Sequence, residues 1–120
     1  MPEQVTASTW RRILASDRQI GAALAVLHGD TVGFANYVLH PFTWSDRPTC
    51  LLEDLHVDPA VRGGGIGRRL IEHLIERGRA EGWARVYWHT REENTSARRL
   101  YDRFGPADGF VRYTVRLRGE

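Results

Sequence analysis

The sequence predicts an α/β protein, because apolar segments with the alternation of strands follow segments with the periodicity of helices. From residue 51 onward the order is strand, helix, strand, helix, strand. Upstream, residues 20–27 and 31–40 are two further apolar segments, separated by the turn-forming residues His28, Gly29 and Asp30. We therefore expect an N-terminal hairpin to join a mixed sheet that helices flank.

The first half of the chain is expected to contain one helix, the hairpin and a loop. Ser8 or Thr9 is a favourable N-cap for a short helix that ends near Ser16. Residues 41–49 carry Phe42 and Trp44 between prolines, which predicts a loop. Its aromatic side chains either line a binding pocket or pack against their own domain.

Residues 51–57 form the next expected strand, which Asp58 and Pro59 end. Regular alternation divides its side chains between two faces. One face would carry Leu51, Glu53, Leu55 and Val57, and the other Leu52, Asp54 and His56.

The remaining elements follow from helix periodicity and capping. A helix is expected from about residue 65 to 81, ending at Gly82, followed by a strand over residues 84–90. Asn94 begins a second helix that closes before Gly105, and residues 109–117 form a closing strand.

Composition places residues 1–120 in one domain of ordinary globular character, with 42% hydrophobic and 27% charged residues. The formal net charge is only +2, and no dense basic patch favours a nucleic-acid partner. We expect no membrane partner either, since no segment is long and apolar enough to span a bilayer and the polar N-terminus is unlike a signal peptide. These features predict a cytoplasmic protein.

The single cysteine, Cys50, excludes an internal disulfide and fits a reducing compartment. It is expected to be a small buried hydrophobe; a nucleophile is the other interpretation. The five histidines lack the spacing of a metal site, so no metal is expected.

A glycine-rich stretch precedes the first of the two later helices, with Gly63, Gly64, Gly65 and Gly67 within five positions. Glycine lets the backbone approach a ligand closely, and the first amides of a helix have no internal partner. This arrangement predicts an anion site, most suited to phosphate. The chain has no lysine, which excludes a P-loop, and the glycine spacing does not fit a dinucleotide fingerprint.

The pattern Arg62-x-x-Gly65-x-Gly67 resembles the acetyl-CoA pyrophosphate loop of the GNAT superfamily of N-acetyltransferases. Asn94-x-x-Ala97-x-x-x-Tyr101-x-x-x-Gly105 is similar to a second motif of that family. Together with the sequence of residues 52–57, these motifs are most similar to the diamine and polyamine branch. The resemblance covers about residues 20–118, whereas the usual N-terminal strand and helix, which form one wall of the acceptor site, are missing.

The resemblance implies a GNAT-like fold whose central strand splays from its neighbour at a bulge near Glu53. It implies acetyl-CoA as co-substrate, with the backbone of Leu55 and Val57 on the pantetheine arm. Asn94, Ala97 and Tyr101 would also contact the cofactor. The amides that would hold the pyrophosphate belong to Arg62, Gly63, Gly64, Gly65, Ile66, Gly67 and Arg68.

For catalysis, the resemblance implies that Tyr101 protonates the departing thiolate. Glu53 is our candidate base for the acceptor amine, and the amide of Leu55 would polarise the thioester carbonyl. Structural alternatives remain open: Tyr101 lies on the apolar stripe of its helix, and Glu53 could simply pair with an arginine.

The expected function is transfer of an acetyl group from acetyl-CoA to an amine of a small molecule or a protein. The alternative is a non-catalytic acyl-CoA-binding or regulatory module; a nucleic-acid-binding domain is a weaker possibility that only the basic pI favours. Because the closing strand would leave an exposed edge, we also expect a homodimer.

Overall fold

The computed structural model describes Arg11 and residues 19–118, which fall into two compact units that divide between His89 and Thr90. The helix expected near residues 8–16 lies outside the described residues, apart from Arg11. The elements of the first unit are β1 (Ile20–Leu27), β2 (Asp30–Phe42), β3 (Ser45–Val57), a 3-10 turn (Pro59–Val61), α1 (Ile66–Glu81) and β4 (Arg85–Trp88). The second unit contains α2 (Thr95–Tyr101).

The four strands form one mixed sheet in the order β1-β2-β3-β4. β1 and β2 pair antiparallel, as do β2 and β3, whereas β3 and β4 are parallel because α1 connects them. This confirms the expected α/β fold with an N-terminal hairpin.

The first hairpin turn also lies where it was expected. Leu27 pairs with Asp30, so His28 and Gly29 alone make the turn, with φ values of 52° and 85°. Two successive residues with positive φ are typical of the type I′ turn, whose twist matches that of the flanking strands.

The expectation of a loop over residues 41–49 is wrong. β2 extends to Phe42 and β3 begins at Ser45, and these two residues pair across a two-residue turn. Pro41 and Pro48 do not interrupt the ladder because both lie where the register shifts beyond His40. Trp44, at the tip of the turn, is 89% exposed.

α1 covers one face of the sheet. A Cβ at Gly33 would lie only 3.4 Å from Cγ2 of Ile66 and 3.5 Å from Cδ1 of Leu70, which places the helix directly against β2. The core beneath it contains Ala35, Tyr37, Cys50, Leu52, Leu70, Ile71, Leu74 and Trp83, all buried.

The face of the sheet opposite α1, which we call the distal face, carries the alternate residues of each strand. Its members include Leu24, Phe34, Asn36, His40, Leu51, Asp54, His56 and Tyr87. The side of this face nearest the β1 edge is apolar, and Leu24 is 54% exposed.

The closing strand expected over residues 109–117 is not formed: residues 106–118 have neither helix nor strand in the second unit. Large apolar side chains in this segment are exposed, including Phe110 at 88% and Tyr113 at 92%. An alternating sequence specifies the two faces of a strand, but the strand forms only when a neighbour pairs with its backbone.

Candidate functional site

The glycine loop begins where β3 ends. Asp58 caps the 3-10 turn by accepting a hydrogen bond from the amide of Ala60 at 2.9 Å, so the chain reverses direction immediately after the strand. Arg62 then donates from Nε to the carbonyl of Val57 at 3.1 Å. These contacts hold the start of the loop against the last residue of β3.

The loop presents free backbone amides at the start of α1. Gly63 and Gly65 have φ values of 88° and 82°, conformations that glycine adopts without strain. Gly65 is the N-cap of α1 and supplies no side-chain cap, and in the described chain no backbone acceptor pairs with the amides of Gly63, Gly64 and Gly65. The helix dipole adds positive potential at this end, so an anion is the expected ligand.

The two arginines that bracket the loop are less available than the sequence suggests. Arg62 donates from Nε to Val57, as described, and Nε of Arg68 donates to Glu72 Oε1 at 2.9 Å along the helix. Each side chain in the Arg68–Glu72 pair is 50% exposed, so this ion pair is weak enough for an anion to displace. The backbone amides, rather than these side chains, are therefore the groups that are free to bind an anion.

Beside the loop, β3 separates from β4. Pairing of the two parallel strands ends at Leu52 opposite Trp88, although β3 continues to Val57. The outer edge of β3 near Leu55 therefore has no strand partner among the described residues. This is the splay that the resemblance implies, and it leaves peptide groups of β3 for another molecule to pair with.

A bulge at Glu53 accompanies the splay and corrects the expected alternation. Asn36 pairs with Asp54 and Tyr37 with Leu52, so Glu53 is the extra residue. As a result, Leu52 lies on the face that α1 covers whereas Asp54 lies on the distal face. The expected grouping of Leu51 with Leu55, and of Leu52 with Asp54, is therefore wrong, because one inserted residue shifts everything after it to the other face.

Two carboxylates lie at this bulge. Glu53 and Asp54 are both exposed, and neither forms an ion pair with another described residue. Oδ2 of Asp54 accepts a 3.4 Å hydrogen bond from Nδ2 of Asn36, whose own Oδ1 is buried without a partner. The protein alone does not desolvate Glu53; a substrate bound over it would have to do so.

The second unit holds the other expected site residues. Asn94 is the N-cap of α2, and its Oδ1 accepts a hydrogen bond from the amide of Ala97 at 3.3 Å. Asn94 and Ala97 therefore already have a structural role. Burial raises the pKa of the Tyr101 phenol, so its hydroxyl is protonated at neutral pH.

Cys50 is fully buried beneath α1, and burial raises the pKa of its thiol to about 12. A thiol that stays protonated is not a nucleophile, so the expectation of a buried hydrophobe is confirmed. Among the described residues, no set of three or more histidine, cysteine or acidic side chains is arranged to hold a metal ion. Within the same residues, no helix has the length and apolar character needed to cross a bilayer.

A cluster on the distal face was missed by sequence reasoning. Nε2 of His40 lies 2.9 Å from the hydroxyl of Tyr87, and the ring of His89 meets that of Tyr87 edge-on. Arg85 stacks on the rings of Tyr87 and Phe42, at 4.8 and 4.4 Å from their centroids. Residues 85 and 87 alternate along β4, so their shared face could be predicted from the sequence, but the contacts of Tyr87 and Arg85 with β2 could not.

A cleft of about 400 Å³ lies at the β2–β3 hairpin and is lined by Leu39, His40, Phe42, Asp46 and Arg47, among others. Glu53 lies eight positions after Ser45 along β3, a distance of about 26 Å along an extended strand. The cleft is therefore at the far end of the sheet from the glycine loop and does not belong to the site at the bulge.

Comparison with known proteins relates this chain to a family of acetyltransferases. The profile of the Acetyltransferase (GNAT) family matches residues 2–105. The D-amino-acid N-acetyltransferase HPA3 of Saccharomyces cerevisiae is 35% identical over 103 residues, which cover 84% of this chain and 64% of the relative. Spermine/spermidine N(1)-acetyltransferase of Bacillus subtilis is 37% identical over 83 residues, covering 64% of this chain and 53% of the relative. The chain thus spans less than two thirds of the length of these relatives.

A solved structure supports the same fold. AAC(6')-Iy, determined in complex with the bisubstrate analogue CoA-S-monomethyl-acetylneamine, matches with a TM-score of 0.83 and 23% identity, over 98% of this chain and 82% of that one. With a glycine loop at the start of α1, a bulged and splayed β3 and a family profile that covers most of the sequence, the chain belongs to the GNAT acetyltransferase family.

Proposed function

We propose that the protein is an acetyl-CoA-dependent N-acetyltransferase. The observation that carries this proposal is the juxtaposition of two unsatisfied backbone surfaces: the free amides of the glycine loop at the start of α1 and the unpaired edge of β3 beyond Leu52. The first suits a diphosphate and the second suits an extended arm with amide groups, and coenzyme A combines both.

In this proposal, the cofactor's diphosphate is held by the amides of residues 63–68, and its pantetheine arm pairs with the backbone at Leu55 and Val57. The carbonyl of Val57 already accepts from Arg62, which fixes the end of the strand for this role. The amide of Leu55 would polarise the thioester carbonyl as negative charge develops on its oxygen.

The acceptor amine must lose a proton before it attacks, since an alkyl ammonium has a pKa of about 10.4. Glu53 is a candidate for this step, because the bulge places it beside the splay. Tyr101 would protonate the departing thiolate, and its raised pKa keeps the required proton in place. Asn94 and Ala97 would also contact the cofactor.

The acceptor that fits best is a small cationic amine. Glu53 and Asp54 are exposed carboxylates without a cationic partner in the described chain, and opposite charge attracts such a substrate to the bulge. The names of the relatives point to amino and polyamine acceptors, which carry the same charged group. The polyamine branch is one candidate among these.

Calorimetric titration with acetyl-CoA tests the cofactor site. Gly65→Asp should abolish binding, because its carboxylate would occupy the anion site and repel the diphosphate. Gly29→Asp is the matched control, since Gly29 has a similar φ of 85° and equally open surroundings, but lies in the β1–β2 turn. Equal affinity of both variants would refute the loop assignment.

Thiol release in the presence of an amine panel then tests catalysis. An acetyltransferase releases free coenzyme A in proportion to the acetylated amine, whereas an acyl-CoA-binding module binds the cofactor without turnover. If acetyl-CoA bound but no thiol were released in the presence of any diamine, polyamine or amino acid, the enzymatic part of the proposal would be refuted.

We further propose a homodimer that forms through the segment 110–117. Its apolar side chains at positions 111, 113, 115 and 117 alternate with polar ones and are 75–92% exposed. Pairing with the same segment of a second copy would satisfy its backbone and cover this stripe. Light scattering should give the mass of a dimer for the wild type. Tyr113→Lys should lower this mass, whereas Thr114→Lys, on the other side of the segment, should leave it unchanged. A monomeric wild type would refute the proposal.

A further inference from the structure

His89 directly follows β4, at a position that corresponds to that of Glu53 on β3. The last residue pair that joins the two parallel strands is Leu52 with Trp88. Glu53 and His89 each follow that pair directly, so they flank the point at which the strands separate. His89 is exposed and thus accessible to a molecule bound there.

The imidazole of His89 is held in a defined orientation. Its ring meets that of Tyr87 edge-on, with an interplanar angle of 89° and 5.7 Å between the centroids. Because Tyr87 lies on the distal face, this contact places the imidazole of His89 on the same face, which also carries Asp54.

Tyr87 is itself fixed by a hydrogen-bond chain that reaches β2. Nδ1 of His40 lies 2.8 Å from the carbonyl of Pro41, and a carbonyl can only accept, so Nδ1 carries a hydrogen. In the neutral ring, Nε2 is then an acceptor, and the hydroxyl of Tyr87 donates to it at 2.9 Å. The guanidinium of Arg85, 4.8 Å from the ring centroid of Tyr87, restrains the same ring.

We propose that His89 is the group that takes the proton from the acceptor amine, and that Tyr87 and His40 position it. The inference rests on the proposed acetyltransferase function and replaces Glu53 as the base, leaving Glu53 and Asp54 to attract the cationic substrate. Imidazole suits the step, because a general base is most efficient when its pKa lies near the working pH.

The step balances as follows in atoms and charge. His89 accepts one proton from the ammonium, and the freed nitrogen forms a bond to the thioester carbonyl carbon. The bond from that carbon to sulfur then breaks. The nitrogen loses a second proton and the thiolate takes up one proton, so these two transfers cancel. His89 then returns the first proton to solvent.

The other histidine near the bulge is less suited to this role. His56 lies on β3, three residues beyond Glu53, and its ring packs against Phe34 at 5.5 Å. It is thus displaced along the strand from the point at which pairing ends.

The charged and titratable groups near His89 are few in the first unit. Arg85 and Tyr87 lie on β4, β3 contributes Glu53 and Asp54, and β2 contributes His40.

The test is the pH dependence of kcat/KM for wild type, His89→Gln and Glu53→Gln. We expect His89→Gln to lower kcat at pH 7 by about 100-fold, the smallest effect typical of a lost general base. It should also remove the acidic limb of the profile, which is the fall of kcat/KM at low pH. Glu53→Gln should raise the KM for the amine and keep that limb. His73→Gln, an exposed histidine on α1, is the matched control.

Two further measurements separate catalysis from a structural effect. Added imidazole should restore part of the turnover of His89→Ala, because it replaces the missing base and cannot repair a folding defect. Tyr87→Phe should lower kcat and keep the acidic limb, with unchanged acetyl-CoA affinity in the calorimeter.

A His89→Gln enzyme with the wild-type pH profile, or a profile whose acidic limb disappears in Glu53→Gln instead, overturns the inference while the acetyltransferase proposal stands. Failure of the wild type to bind acetyl-CoA overturns both.

Discussion

Arg77 on α1 lies over the ring of Tyr37 on β2, with its guanidinium carbon 5.5 Å from the ring centroid, and donates a hydrogen bond from Nη1 to the Tyr37 hydroxyl. The same guanidinium is 5.7 Å from the ring of Trp83. The two aromatic rings are themselves 5.8 Å apart. One side chain therefore joins the C-terminal half of α1 to the sheet and to the residue that leads into β4.

Removal of this side chain should destabilise the fold. We expect Arg77→Ala to lower the free energy of unfolding by about 1–3 kcal/mol, since a cation–π contact and a hydrogen bond to a buried tyrosine are both lost. Urea denaturation measures the change. Arg79→Ala is the control: its ion pair with Glu76 is more than 70% exposed on both sides and should cost about 0.5 kcal/mol or less. Equal losses for the two variants would contradict this role.

Gly78 is required for the contact between α1 and Trp83. A Cβ at this position would lie 2.9 Å from Cε3 of Trp83, whose side chain is only 8% exposed and cannot move aside. Gly78→Ala should therefore destabilise the protein by about 1–3 kcal/mol through overpacking, against a gain of about 1 kcal/mol in helix propensity.

The matched comparison is Ala80→Gly, an exposed position on the same helix, which should cost about 1 kcal/mol through propensity alone. If Gly78→Ala raised the midpoint of urea unfolding, the close packing of helix and tryptophan would be refuted.

The parts of the fold that sequence predicts well depend on local signals. β1 begins at Ile20 and ends at Leu27 as expected, because a turn with two positive-φ residues follows it. Gly65 and Gly82 mark the ends of α1, and Gly82 adopts the left-handed conformation that commonly ends a helix. The glycine loop was found for the same reason: its free amides follow from residues adjacent in sequence.

The parts that sequence misses depend on pairing between distant segments. The bulge at Glu53 appears only when β3 is aligned with β2, and it reverses the faces that alternation assigns. The contact between His40 and Tyr87 joins residues 47 positions apart. Residues 109–117 have the alternation of a strand, but alternation does not supply a partner. Candidate bases on the distal face could therefore not be ranked from the sequence.

Cys50 should make the stability of the protein sensitive to alkaline pH. Burial raises its pKa from 9.0 to about 12, so above about pH 9 the unfolded thiol ionises while the folded one does not. The stabilising contribution is complete below pH 9 and is lost as the pH rises toward 12, by up to about 1.4 kcal/mol per pH unit. The stability difference between wild type and Cys50→Ala, from urea unfolding at pH 7, 8, 9 and 10, should be constant to pH 8 and then shift against the wild type. A constant difference up to pH 10 would contradict the burial of the thiol.

Tyr101→Phe tests the acid that the family resemblance implies, because it removes the hydroxyl and keeps the ring. Burial raises the Tyr101 pKa above its ordinary value of 10, so the phenol carries its proton throughout the neutral range and loses it only as the pH rises beyond that value. We expect kcat to fall about 100-fold with unchanged acetyl-CoA affinity, and the wild-type rate to show no loss through this group below about pH 10. Tyr113→Phe, a change at a 92% exposed side chain, should leave kcat unchanged. Equal turnover of Tyr101→Phe and wild type in a thiol-release assay would assign Tyr101 to packing alone, and the thiolate would then take its proton from water or from the attacking nitrogen.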